Sequence, residues 1–129
     1  MNNVEPLFAR DLDDFERILQ AEKRMLRTRL KEMRTGSDEA RAAIHDGQVS
    51  DTKDESSFKQ LSDTYMAETA RLIVELAKVD VALTRVATGS YGTCERCGRD
   101  IGLERLTSQP TADRCLPCQM LRESQRAKK

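Results

Sequence analysis

The stretch YGTCERCGRDIGLERLTSQPTADRCLPCQ, residues 91–119, decides how this chain folds. It contains two Cys-x-x-Cys pairs with 17 residues between them. Two such pairs separated by roughly 15–20 residues have the spacing of a zinc site. Within each pair, two intervening residues let both sulfur atoms reach one ion at about 2.3 Å. The spacing therefore predicts one structural Zn²⁺ ion bound by Cys94, Cys97, Cys115 and Cys118.

Such a site is closed, because four thiolates fill the tetrahedral shell of zinc and leave no position for a substrate or an activated water. Gly98 follows the first pair and permits the tight turn that the site needs. A disulfide and a redox dithiol are the alternatives, but the second pair and the lack of a βαβ pattern argue against them. The single histidine, His45, cannot build a catalytic set, and we expect no enzyme activity.

The composition favours long helices over a large round core. Of 129 residues, 38% are hydrophobic and 34% are charged, and there is no Trp. Lys and Arg together number 22, as do Asp and Glu, so the net charge of zero lacks the excess of a strongly basic nucleic-acid binder. No secretion signal and no membrane span are recognisable, which predicts a cytoplasmic protein with reduced thiols.

Two apolar stripes precede the cysteine segment. The first has members seven residues apart at Leu12, Leu19, Leu26 and Met33, with Met25 as an alternative to Leu26. The second repeats every seven residues at Phe58, Tyr65, Leu72, Val79 and Val86. This heptad spacing is typical of a coiled coil.

The two stripes predict an antiparallel helical hairpin with arms at 12–46 and 55–88. Phe15 would lie opposite Val86, and each arm would be roughly 50 Å long. A break near Gly36 and Ser37 is possible, and Gly89 would end the second arm. Two helices of a compact bundle are the alternative, but no third long stripe is present to cover them.

The predicted fold class is mainly α, a long antiparallel coiled-coil hairpin plus a small four-cysteine zinc-finger domain with a C-terminal helix. We expect an N-terminal segment at 1–11 and the hairpin at 12–88, with its tip near 47–56. The zinc finger and a helix from Leu116 to about Ala127 would occupy 89–129.

The predicted tip is acidic, since residues 37–56 contain six acids and two bases. Asp51 and Asp54 lie where the second arm begins, and helix capping alone would explain acids there. Carboxylates on a projecting arm would also suit delivery into a deep, metal-containing cavity of a partner.

The chain resembles the DksA/TraR family of bacterial RNA-polymerase regulators. Residues 91–119 match the family pattern YGxCxxCGxxIxxxRLxxxPxAxxCxxC nearly throughout, and a weaker resemblance extends over residues from about 12 to 127. It implies a protein that binds bacterial RNA polymerase directly rather than DNA, and inserts its hairpin into the secondary channel. It also implies a link to the stringent response, in which family members most like DksA act with guanosine tetraphosphate.

The family's tip motif is Asp-x-x-Asp-x-Ala, and its matching positions here are Asp51, Asp54 and Ser56. Ser56 departs from the motif, which implies weakened or altered activity of the tip. Arg71 matches an arm position that contacts polymerase in the family, although an ordinary solvated arginine is an equal alternative.

The family's alarmone site uses two Lys and one Arg, and the matching positions are Lys78, Gln109 and Gln119. Because only Lys78 keeps a cation for phosphate, the resemblance implies weak or absent guanosine tetraphosphate binding. The protein is expected to be a monomer without sequence-specific DNA binding. A nucleic-acid-binding zinc finger is the alternative, resting on eight bases within residues 89–129 that five acids largely offset.

Overall fold

The computed structural model describes residues 9–45 and 52–127, which form four helices. They are α1 (Ala9–His45), α2 (Thr52–Thr88), α3 (Leu103–Ser108) and α4 (Leu116–Ala127). Within this part of the chain, β pairing is limited to one antiparallel bridge between Thr93 and Asp100. None of the described helices has a stretch long and apolar enough to cross a membrane.

The two long helices correspond to the predicted arms, each beginning three residues earlier. Asp11 lies in the first turn of α1, where a carboxylate interacts favourably with the positive end of the helix dipole. The helix is continuous through Gly36, so the break considered there is absent. One glycine in a helix interior costs only about 1 kcal/mol, which tertiary packing outweighs.

Most described members of the two apolar stripes are buried, as the heptad spacing predicts: Leu19, Leu26, Met33, Leu72 and Val79 are buried, and Leu12, Tyr65 and Val86 are half-buried. Leu26, and not Met25, belongs to the buried face, since Leu26 is 6% exposed and Met25 is 63% exposed. The chain forms two compact units: the first comprises Met1–Glu22 with Lys78–Lys129, and the second comprises Lys23–Ala77. The core of the second unit contains Leu26, Met33 and Leu72. Outside the cysteines, that of the first contains Phe15, Leu19, Val79, Ala82, Tyr91, Ile101, Leu106 and Ala112.

The predicted register of the hairpin agrees with one close approach inside the second unit. A Cβ atom placed on Gly36 would lie 3.5 Å from the hydroxyl of Tyr65. In an antiparallel pair, moving forward along one helix means moving back equally along the other. Gly36 follows Phe15 by as many residues as Tyr65 precedes Val86, so both pairs belong to one register. Together with the two long helices, this approach confirms the hairpin of the predicted mainly α fold class.

Helix α2 ends in a Schellman motif, as the Gly89 position predicts. Gly89 has φ +84°. Its amide donates to Val86 O at 3.4 Å, and the Ser90 amide donates to Arg85 O at 2.9 Å. These bonds satisfy carbonyls that the end of a helix otherwise leaves unpaired. The chain therefore leaves α2 in a fixed direction toward the first cysteine pair.

The two glycines give opposite predictions for the same substitution. Gly36→Ala is expected to raise the free energy of unfolding by about 1 kcal/mol, because alanine is the better helix former and its Cβ meets Tyr65 at an ordinary contact distance. Gly89→Ala is expected to lower it by about 1–2 kcal/mol, because an L side chain disfavours positive φ. Urea unfolding followed by circular dichroism measures both. Equal effects of the two variants would contradict this assignment.

Candidate metal centre

The four cysteine sulfur atoms form one cluster. The Sγ atoms of Cys94, Cys97, Cys115 and Cys118 all lie within 4.8 Å of one another. Those of Cys97 and Cys115 are 3.6 Å apart. Zn–S bonds of 2.3 Å in a tetrahedron require S···S separations of about 3.8 Å. The cluster therefore has the dimensions of a zinc–tetrathiolate site.

Both cysteine pairs form the same type of turn, but the chain continues differently after each of them. In the first pair, the Gly98 amide donates to Cys94 O at 3.0 Å, and Gly98 has φ +76°. The Cys94 amide then donates to Arg99 O at 2.8 Å, so the chain doubles back. In the second pair, the Gln119 amide donates to Cys115 O at 2.9 Å, and the chain continues as α4. Gly98 after the first pair thus allows the chain to reverse, whereas Gln119 at the matching position after the second pair continues into a helix.

Backbone amides favour the thiolate form at one ligand. Burial acts to raise the pKa of the Cys94 thiol, but hydrogen bonds from the amides of Cys97, Cys115 and Arg96 outweigh it and lower the pKa to about 6. Burial raises the pKa of Cys115 to about 12, and the neighbouring sulfur atoms act in the same direction. Four crowded thiols cannot all ionise unless a cation balances them, and Zn²⁺ supplies that charge.

The four sulfur donors fit a structural zinc site rather than a catalytic one. Four soft thiolates at tetrahedral spacing select zinc, and all four positions of the ion would be taken. Cys94, Cys115 and Cys118 are buried, and only Cys97 reaches solvent. When bound, zinc supplies cross-linking energy to residues 91–119 and no substrate position.

Tyr91 anchors the start of the cysteine segment. Its ring centroid lies 5.8 Å from that of Phe15 on α1, and its hydroxyl donates to Pro110 O at 2.7 Å. Burial raises the pKa of Tyr91 above its usual range. The hydroxyl therefore remains a donor over the physiological pH range and holds the loop before the second pair.

A charged network joins the two cysteine pairs and α4. Glu95 lies inside the first pair, and its Oε1 accepts from Arg114 at 2.8 Å and from Arg122 at 2.9 Å. Arg122 also lies 3.4 Å from Asp113 Oδ1. The hydrogen bond that Arg114 donates to Glu95 raises the pKa of Arg114. Because these arginines are already paired, they add little to the basic patch on which the nucleic-acid-binding alternative rests.

The remaining predicted site residues lie on α2 or outside the part of the chain that the structure describes. Arg71 and Lys78 are exposed on α2. Asp51 lies outside the described residues. Asp54 and Ser56 belong to the first turns of α2, and their side chains are also outside the description.

Sequence reasoning missed α3 and the arginine contacts. Six residues are too few to show a helical stripe, and only Leu106 of α3 is buried. The Arg105 Nε atom donates to Arg114 O at 3.0 Å, a contact that depends on tertiary structure. An acid between the first two cysteines and a base directly before the third were the available signals for the Glu95–Arg114 pair.

Residues 89–124 match the family described as the prokaryotic dksA/traR C4-type zinc finger. The chain is 30% identical over 112 residues to the RNA polymerase-binding transcription factor DksA of Salmonella typhimurium, covering 87% of this chain and 71% of that protein. It is 40% identical over 48 residues to the protein of the same name from Haemophilus influenzae. That shorter match covers 37% of this chain and 33% of the Haemophilus protein.

A solved structure with the same fold is that of transcription factor DksA2 from Pseudomonas aeruginosa. It has a TM-score of 0.79 and 27% sequence identity, and the match covers 95% of this chain and 90% of that one. The likeness therefore includes the long helices as well as the cysteine segment.

Proposed function

The chain belongs to the DksA/TraR family, and we propose that it regulates bacterial transcription by binding RNA polymerase directly. The observation that carries this proposal is the presence of both parts of the family fold in one chain. The two 37-residue helices accompany the four-cysteine cluster, and the Salmonella relative, named as polymerase-binding, matches over 87% of the chain. A zinc finger alone would leave the long helices unexplained.

In this proposal, the segment joining the long helices acts inside the secondary channel of the polymerase. Asp51 and Asp54 are the proposed acting carboxylates, and Ser56 replaces the family's alanine beside them. Helix α2 begins at Thr52, so Asp54 lies within its first turn.

One face of α2 is suited to contact a protein. Ile73 and Val74 are 54% and 52% exposed, and Met66 is 68% exposed. Arg71 flanks this face and donates to Glu68 at 2.7 and 3.1 Å. That bond lowers the pKa of Glu68. Exposed pairs of this kind contribute little stability, so Arg71 can exchange Glu68 for an acid of the polymerase at small cost.

We also propose that guanosine tetraphosphate binds weakly or not at all. At the position of one family cation, the Gln119 amide nitrogen donates to Glu123 Oε1 at 3.1 Å. This side chain is neutral and is held beside a carboxylate, which repels phosphate. Gln109 at the second position caps α3 through its backbone amide and brings no charge. Lys78 alone would then have to balance the charge of the nucleotide.

Other parts of the proposal follow from the family membership and the closed metal site. The protein carries out no catalytic step of its own and acts in the cytoplasm. It acts as a monomer and contacts no DNA sequence specifically. The partition into residues 1–11, 12–88 and 89–129 remains a prediction.

Co-migration with bacterial core RNA polymerase tests the proposal. The full-length protein is expected to elute with the polymerase on size exclusion and to change the lifetime of promoter complexes, with little response to added guanosine tetraphosphate. Arg71→Ala should weaken the complex. Arg17→Ala is a matched control, because Arg17 is also exposed and pairs with an acid three residues earlier, Asp14. Separate elution of the unaltered protein and polymerase would refute the proposed function.

A further inference from the structure

The guanidinium of Arg85, in the last turn of α2, reaches into the cysteine segment. Its Nη2 atom donates to Ser90 O at 3.0 Å and also to Thr93 O, while Nη1 donates to Asp113 O at 3.4 Å. Its Nε atom lies 3.5 Å from Ser90 Oγ. The acceptors lie just before both cysteine pairs, since Thr93 directly precedes Cys94 and Asp113 is two residues before Cys115.

The carbonyl of Asp113 is where these contacts meet. It accepts the backbone amide of Glu95 at 2.9 Å, which joins the second cysteine loop to the first. A carbonyl oxygen has two lone pairs, and Arg85 takes the other one. One oxygen thus connects α2 with both halves of the metal site.

The backbone of Arg85 acts in the same direction as its side chain. Its carbonyl accepts the amides of Ser90 at 2.9 Å and Tyr91 at 3.1 Å. The residue therefore holds the connection from α2 to the first cysteine by both donors and acceptors. Its side chain is partly buried at these contacts, so water competes for them less than at an exposed arginine.

From this geometry we propose that Arg85 is a positioning residue for zinc: its planar fork holds the two cysteine loops at the spacing that one ion requires. The fork is essential because the acceptors diverge. Arginine presents five N–H donors in a fixed plane, whereas lysine presents three donors at a single point. A lysine could keep the charge and one contact, but could not bridge Thr93 and Asp113 together.

The proposal predicts a loss of zinc affinity on substitution, measured by competition with a chromophoric chelator. Residues that orient metal ligands typically change metal affinity by about 10–100-fold, and we expect a weakening in this range for both Arg85→Lys and Arg85→Gln. Arg17→Gln is the matched control, since it removes a positive charge from the same compact unit without touching the cysteine segment. Its zinc affinity should equal that of the unaltered protein.

Two further readouts separate positioning from a general loss of stability. With Co²⁺ in place of zinc, Arg85→Lys should retain its far-ultraviolet helical signal but show altered d–d bands, because the sulfur atoms are held less regularly. In the unaltered protein, removing zinc should speed hydrogen exchange at the amides of Ser90 and Tyr91. Full zinc affinity with an unchanged cobalt spectrum in Arg85→Lys, or exchange at these amides that is indifferent to zinc, would overturn the proposal.

Discussion

Replacement of Cys115 by serine is expected to remove stoichiometric zinc binding and to unfold the cysteine segment with α3 and α4. Structural zinc supplies apparent binding energies of about 10–16 kcal/mol in small domains, which is as large as the stability of a whole protein. The apolar residues buried between Tyr91 and Ala112 are few, so they cannot replace that energy. Zinc content by atomic spectroscopy and dispersion of amide resonances from residues 91–127 measure the effect.

The same substitution should spare much of the helical signal. Residues 23–77 form a compact unit whose core, Leu26, Met33 and Leu72, contains no part of the cysteine segment. The long helices contain 37 residues each, against six in α3 and twelve in α4. Ellipticity at 222 nm should therefore fall only by a minor share. Simultaneous loss of the whole helical signal would show that the hairpin also depends on zinc.

The effect of burying a hydroxyl must be distinguished from the effect of losing the metal. Ala112→Ser is the matched control, because Ala112 is 6% exposed, lies three residues before Cys115 and is not a ligand. This variant should keep one equivalent of zinc and lose only about 1–3 kcal/mol for the buried polar group. A zinc-free but folded Cys115→Ser protein would contradict the structural role of the ion.

The sequence predicted the parts of this fold that depend on spacing. Cys94, Cys97, Cys115 and Cys118 could be assigned to one cluster because a tetrahedral ion restricts the distance between its ligands. The sequence also predicts a helix from Leu116 to about Ala127, and α4 has these bounds. In both cases a local pattern and a tertiary requirement agree, so the residues alone contain the information.

The parts that depend on distant backbone atoms could not be predicted. Arg85 looks like an ordinary charged residue on a helix, since its acceptors are carbonyls of loops up to 28 residues away. Such hydrogen bonds can be recognised only when the positions of the loops are known.

For the proposed tip, Asp54→Asn is expected to separate binding from regulation. The variant should bind polymerase nearly as tightly as the unaltered protein, because most of the contact area would lie along the helices. Its effect on transcription should fall by about tenfold or more, since hydrogen bonds to charged groups contribute about 1.5–3 kcal/mol and the amide carries no charge. Competition for polymerase and the lifetime of promoter complexes give the two measurements.

The competing explanation is that Asp54 only stabilises the start of α2. A carboxylate in the first turn of a helix contributes about 0.3–1 kcal/mol through the helix dipole, and its loss would lower thermal stability. Asp63→Asn is the matched control, because Asp63 is exposed on the same helix beyond its first turn. It should leave both binding and transcription unchanged. If Asp54→Asn loses binding and regulation together, in proportion to a loss of α2 helicity, then Asp54 caps the helix and the acting group of the tip must be sought at Asp51.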